Sequence, residues 1–310
     1  MSGAPAPRAG ASLPERIEIR EVGPRDGLQS EQPVPVEDRV RLIEALLVAG
    51  ATDIELTAFV SPRAVPSMAD AGAVVAAVGT RPSVRRWALV PNRRGAELAA
   101  AAGIDALTMT VSASEAYSEK NVHMSVAESV AEAGRVCQVA SDAGLIVDVV
   151  ISCAFGSPYE GDLAPSMVAS VGEAVRSGGA GRVTFADTTG MATPRRIAEL
   201  LDATGTDVGL HLHETRGTAL VNAYAAMQLG LTRFDTSVGG LGGSPFAAGA
   251  AGNLATEDLV HLCDDLGVAT GLSLDALLDA AALAAAIVGH SVPSRVAAAG
   301  PRSRLAASGT

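Results

Sequence analysis

The stretch GLHLHE places His211 and His213 two residues apart at the end of an apolar run. On a β-strand that spacing sends both imidazoles out of one face, so they converge on a single point, as metal-ligating histidines do. Two unrelated histidines of core or surface would fit the same letters, although the other three, His123, His261 and His290, are scattered. Far upstream, EVGPRDGLQSE sets Arg25, Asp26 and Gln29 just past another apolar run. Asp26 would bring a carboxylate to such a site, or else serve as a helix cap or turn acid. Asn253, after a glycine-rich stretch, would add an amide oxygen. Imidazole with carboxylate and amide oxygen suits Mg, Mn or Zn, and the lack of a neighbouring cysteine disfavours a structural zinc site. An arginine held beside a cation would stabilise a developing oxyanion. Its other use is an ion pair with Asp26 or Glu55.

Donors so far apart must be gathered by elements that end near one point. β-branched runs at 16–22, 52–57, 85–90, 106–112, 145–152, 182–187, 207–211 and 233–238 read as eight strands. Helical patterns separate them, among them 36–49, 126–143, 194–203 and 218–229. Eight βα units predict an α/β fold, a (β/α)8 TIM barrel, whose active site lies at the C-terminal strand ends. Those ends carry Arg25 and Asp26, Glu55, Asn92 and Arg93, Ser112 and Glu115, Ser152, Asp187, His211 and His213, and Asp235. Helical patterns at 256–266 and 273–288 predict an appended C-terminal helical region beside the barrel. The domain thus runs from 16 to 290, between a disordered tail (1–15) and a flexible one (291–310).

The formal net charge of -11 argues against nucleic acid or an anionic membrane surface as partner. No run has the length of a membrane span, and the N-terminal Ala/Pro/Gly-rich segment lacks the apolar stretch of a secretory signal. Cys137, Cys153 and Cys263 are odd in number and without CxxC spacing, which reads as reduced thiols and a cytoplasmic protein.

GGLGGSPFAAGAAGN does not fit the GxGxxG turn of a dinucleotide site, so a loop that closes over substrate is the better reading. Lys120 is the only lysine, and it falls in a loop beyond the fourth strand. A Schiff-base aldolase needs a lysine on a barrel strand, so metal-assisted enolate chemistry is the better route to breaking a carbon–carbon bond.

Eight blocks in order, EVGPRDGLQSE, IELTAFVSPRAVPSMAD, ALVPNRRG, TVSASEAYSEKN, SCAFGSPYEG, ADTTGMATP, HLHETRG and GNLATEDLV, resemble the 3-hydroxy-3-methylglutaryl-CoA lyases, metal-dependent barrels related to isopropylmalate synthase. The resemblance implies a divalent metal, Mg or Mn, held by Asp26, His211, His213 and Asn253. It implies that Arg25 stabilises the enolate of departing acetyl-CoA, that Glu55 and Gln29 order the site, and that Asp187 handles the proton of the substrate hydroxyl. The reaction implied is a retro-Claisen cleavage to acetyl-CoA and a ketone such as acetoacetate, as in leucine degradation. Coenzyme A is anionic, so Arg63, Arg93, Arg94 and Lys120 become candidates for holding it, with Gln29 and Asn92 as further substrate contacts. The resemblance also suggests a homodimer.

Two departures bear on specificity. The family's loop cysteine is Ser244 here, and an alcohol is a far weaker acid than a thiol of reference pKa about 8.5. The family's Asp-Thr-Tyr-Gly is Glu214-Thr215-Arg216-Gly217, which adds positive charge near the expected metal. Both leave open a related acyl-CoA or hydroxy-acid enzyme of altered specificity. A third reading, a non-catalytic paralogue, is opposed by the joint presence of Arg25 and the four metal-ligand candidates.

Overall fold

In the computed structural model, which describes residues 13–243 and 252–303, the apolar runs become eight parallel strands. They are β1 (Glu18–Glu21), β2 (Asp53–Ala58), β3 (Arg85–Leu89), β4 (Ala106–Ser112), β5 (Ile146–Ser152), β6 (Arg182–Ala186), β7 (Gly209–His211) and β8 (Arg233–Thr236). They pair in chain order and β1 closes on β8, giving the (β/α)8 barrel that the alternation predicts. The closing seam fixes one register that matters below: Arg20 on β1 lies opposite Asp235 on β8, and Asp235 opposite His211 on β7.

The outer helices form where local chemistry starts them and an apolar face holds them down. In Val126–Asp142 the Ser125 hydroxyl caps the Glu128 N–H while the Glu128 carboxylate caps that of Ser125. That helix buries Ala133, Val136, Cys137 and Ala140, a helical spacing that points one stripe at the strands. Thr193 caps Pro194–Thr204, with proline at the first helical position, where its missing N–H costs nothing. The core between strands and helices is built from Leu42, Leu46, Ile54, Leu56, Val136, Val183 and Leu210, all essentially inaccessible to solvent.

The appended helices, Thr256–Leu266 and Leu274–Val288, pack beside the barrel as expected. The second is stapled to the first barrel helix, Val36–Val48, because the Ser273 N–H donates to the Ala49 carbonyl at 2.8 Å. There the backbones nearly touch: a Cβ on Gly50, whose φ is +98°, would sit 2.6 Å from the Gly271 carbonyl oxygen. Within the segment expected as a C-terminal tail, a further short helix forms at Arg295–Ala299. The reason is Asp258, whose carboxylate accepts the Ser294 hydroxyl at 2.7 Å and the Arg295 and Val296 N–H groups at 3.1 and 2.8 Å. The expected N-terminal tail falls mostly outside the described residues, as does Ser244 with most of its glycine-rich stretch. Among the described residues no helix is long and apolar enough to cross a membrane.

Candidate active site

After β1 the chain winds through a π-helical turn, Gly23–Gly27, in which the Val22 carbonyl accepts N–H groups from Arg25, Asp26 and Gly27. Such turns widen a helix by one residue and recur at functional sites. This one needs glycine at its start, since a Cβ on Gly23 would lie 2.6 Å from Glu21 Oε1. The turn sets Arg25 and Asp26 side by side at the barrel mouth. Arg25 Nε donates to Glu55 Oε2 on β2 at 2.5 Å, and Nη1 to Asp26 Oδ1 at 2.5 Å and to Gln29 Oε1 at 3.4 Å. Both ion pairs weighed for Arg25 therefore form, yet it still lines the cavity.

Across the seam, β7 ends at His211, and His213 bridges to Asn253 beyond it. Asp26, His211 and His213 each offer a ligand atom, all within 4.8 Å of one another. The outer nitrogens fix which atoms point inward. His213 Nδ1 lies 2.9 Å from the Asp187 carbonyl, which only accepts, so Nδ1 carries the proton and Nε2 a lone pair. His211 Nδ1 faces Asp235 Oδ2 at 3.3 Å, leaving its Nε2 toward Asp26 Oδ2 at 3.9 Å. Burial and the adjacent His211 push His213 down to about 4, so it is neutral at physiological pH. Burial acts against ionised Asp26, but the charges of Arg25 and His211 and the Asn253 hydrogen bond outweigh it and bring the carboxyl to about 2.

Asn253 supplies the test of fit for a metal. Its Nδ2 donates to Asp26 Oδ2 at 2.7 Å and to the Leu241 carbonyl at 2.9 Å. Its Oδ1 is buried and has no hydrogen-bond partner. A carboxylate, two imidazole lone pairs and an orphaned amide oxygen are the donor set a divalent cation takes. The site opens on a cavity of about 320 Å³ that Arg25, Gln29, Tyr117, Met109 and Val150 also line.

The model of the HMGL-like family matches residues 16–284. The chain belongs to the HMGL-like family. Among curated proteins it is 44% identical to the (R)-citramalyl-CoA lyase of Chloroflexus aurantiacus, over 93% of this chain and 96% of that one. It is 42% identical to the mitochondrial hydroxymethylglutaryl-CoA lyase of Rattus norvegicus, over 92% and 90% respectively. Among solved structures, hydroxymethylglutaryl-CoA lyase from Pseudomonas aeruginosa superposes with a TM-score of 0.90 at 39% identity, covering 95% of this chain and 99% of that one. An HMG-CoA lyase from Acinetobacter baumannii, in complex with coenzyme A and 3-methylmalate, superposes with a TM-score of 0.88 at 36% identity, covering 93% and 96%. The family match together with 42–44% identity to lyases over more than 90% of the chain makes it a lyase.

Against this HMGL-like frame the candidates divide. Asp26, His211, His213 and Asn253 come together, with Arg25, Gln29 and fully buried Glu55 beside them. Asp187 lies at the end of β6 just behind His213. Its Oδ1 accepts the Met191 and Ala192 N–H groups at 2.6 and 2.9 Å, its Oδ2 is buried without a partner, and burial pushes the carboxyl up to about 6. Asn92 does not line the cavity; it caps the helix Arg93–Ala101 by accepting the Gly95 N–H at 3.0 Å. Arg93 is exposed on that helix and paired with Glu97. Lys120 sits on the helix Glu115–Val122, not in a loop, with its ammonium 3.6 Å from the Tyr159 ring centroid. Arg216 does not enter the cavity: its Nη1 donates to the Thr189 and Gly190 carbonyls at 2.6 and 2.9 Å. Asp235, which the sequence places only at a strand end, turns out to orient a candidate ligand. The signal was its position opposite HLH across the last pair of strands.

Proposed function

We propose that this lyase cleaves the carbon–carbon bond of a 3-hydroxyacyl-CoA thioester, using a divalent cation, Mg or Mn, held by Asp26, His211, His213 and Asn253. The observation that carries the reading is the convergence of three titratable ligands beside Arg25 on a cavity large enough for an acyl group, with Asn253, whose buried Oδ1 has no partner, hydrogen-bonded to Asp26. When bound, the cation supplies positive charge that acidifies the substrate hydroxyl and gathers its carboxylate. Asp187 Oδ2, buried and unpaired, is the group suited to hold the hydroxyl proton. As that proton leaves, the hydroxyl oxygen becomes a ketone oxygen and the bond between C2 and C3 breaks. Its electron pair passes into the thioester as an enolate. Arg25, fixed by Glu55 and Asp26 on the cavity wall, would set its guanidinium against that developing oxyanion without reorganising. The enolate then takes a proton at carbon to give acetyl-CoA.

For 3-hydroxy-3-methylglutaryl-CoA the ketone is acetoacetate. A second reading is favoured by the 44% identity to an (R)-citramalyl-CoA lyase. There the carboxylate sits on the carbinol carbon itself, and the ketone is pyruvate. Purified protein with Mn²⁺ should release acetyl-CoA from one of these thioesters, and the ratio of kcat/KM values assigns the substrate. The Ser244→Cys variant should raise turnover if the loop donor limits enolate protonation. Absence of turnover on both thioesters by metal-loaded, folded protein would overturn the proposal.

A further inference from the structure

We infer that Arg20 is a positioning residue for the candidate metal site, acting on His211 through Asp235; the inference rests on the metal reading above. Arg20, Asp235 and His211 are register partners on three neighbouring strands, β1, β8 and β7, so their side chains form one row across the barrel interior. The row is almost sealed from water: Arg20 is 7%, Asp235 6% and His211 7% exposed.

Arg20 grips Asp235 side-on, Nε to Oδ1 at 2.9 Å and Nη2 to Oδ2 at 2.8 Å. Two parallel bonds make guanidinium and carboxylate coplanar, which one bond does not do. The same Oδ2 faces His211 Nδ1 at 3.3 Å. That contact alone is too long to fix the plane of a carboxylate, so the aim of Asp235 must come from elsewhere. It comes from Arg20, whose own placement is fixed twice over. Its Nη1 pairs with Asp148 Oδ2 at 2.9 Å, and its guanidinium carbon lies 4.9 Å from the Trp87 ring centroid. Orientation therefore passes from the barrel floor to the imidazole whose Nε2 must meet a cation. Removing an imidazole's outer partner typically weakens metal binding by about 10–100-fold.

Arg20 also neutralises two buried acids, and that structural task can be separated from aiming. Asp148→Asn takes away one acid and leaves the grip on Asp235. Arg20→Lys keeps the charge and loses the two-point hold. Arg20→Met with Asp148→Asn removes a cation and an anion together, so the net charge of the row is unchanged while Asp235 is released. Full-length wild type and variants would be titrated with Mn²⁺, free ion being counted by electron paramagnetic resonance. Metal-free melting temperatures and steady-state kinetics on the wild-type substrate would be measured in parallel. The expected result is a dissociation constant within about threefold of wild type for Asp148→Asn. For Arg20→Lys and the double variant it rises about 10–100-fold, with KM for the thioester unchanged and kcat recovered at saturating Mn²⁺. Lower melting temperatures with an unchanged dissociation constant would show Arg20 to be structural only and overturn the inference. If the double variant does not fold, Arg20→Lys decides by the same criterion. Wild type that takes up no Mn²⁺ would bring down the metal reading itself, and this inference with it.

Discussion

Asn253 donates its amide to the Asp26 carboxylate at 2.7 Å, although 227 residues separate them in the chain. The contact gives Asn253 two tasks at once: Nδ2 aims Asp26, and Oδ1 is left bare. His213 does its part differently, since the Asp187 carbonyl takes its Nδ1 proton. His213→Ala should therefore cost at least 100-fold in Mn²⁺ affinity, and Asn253→Ala about tenfold, on the order of 1.4 kcal/mol. Equilibrium Mn²⁺ titration checks both, and equal affinities in all three proteins would contradict the assignment.

Arg25→Lys is expected to keep metal and lose rate. Lysine's single nitrogen cannot reproduce the planar fork that meets Glu55 through Nε and Asp26 through a separate nitrogen while a third remains for the cavity. kcat should fall on the order of 10²–10³-fold with Mn²⁺ affinity changed by no more than a few-fold. Metal loss as large as the rate loss would instead make Arg25 a support for Asp26.

Asn92→Ala tests a capping role against a substrate contact. Loss of the cap on Arg93–Ala101 should cost about 1 kcal/mol in a urea melt. KM for the thioester should not move; a several-fold rise would restore Asn92 to the substrate site.

Glu21 predicts a pH dependence. Burial pushes its carboxyl up to about 7, against hydrogen bonds from Thr256, Val238 and Gly23 that pull it down. The folded state therefore holds this proton more tightly than the unfolded chain does. Its contribution to stability is full below the ordinary glutamate value and is lost as pH rises through about 7. Glu21→Gln keeps the acceptor for the two N–H groups and removes the titration. Relative to wild type it should gain on the order of 1–3 kcal/mol between pH 5 and pH 8. Urea melts at the two pH values measure this, and a difference that does not change with pH would refute it.

Much of this was legible in the sequence because period and punctuation report on backbone directly. The β-branched runs marked all eight strands to within two residues at either end, and the pair of histidines two apart announced a shared face. What was not legible depended on which side of a strand end a polar residue faces. Asn92 and His211 both end apolar runs, but Asn92 turns back to cap its own helix while His211 stays inside the barrel. Asp235 and Arg20 looked like ordinary strand residues, since their importance lies in register between strands, which no local pattern encodes. The helix Arg295–Ala299 escaped because it is anchored by Asp258, well upstream.

The seam where β1 meets β8 has a biosynthetic consequence. Asp26 hangs from the first βα unit, and His211, His213 and Asn253 arrive only with the last two. A chain still emerging from the ribosome thus carries only one of the four proposed donors until β7 is made, and the set is complete only when β8 and Asn253 follow. On the proposed reading, a cation held there would act as a clasp across the join between the two ends of the barrel, and its affinity would add to the cost of pulling them apart.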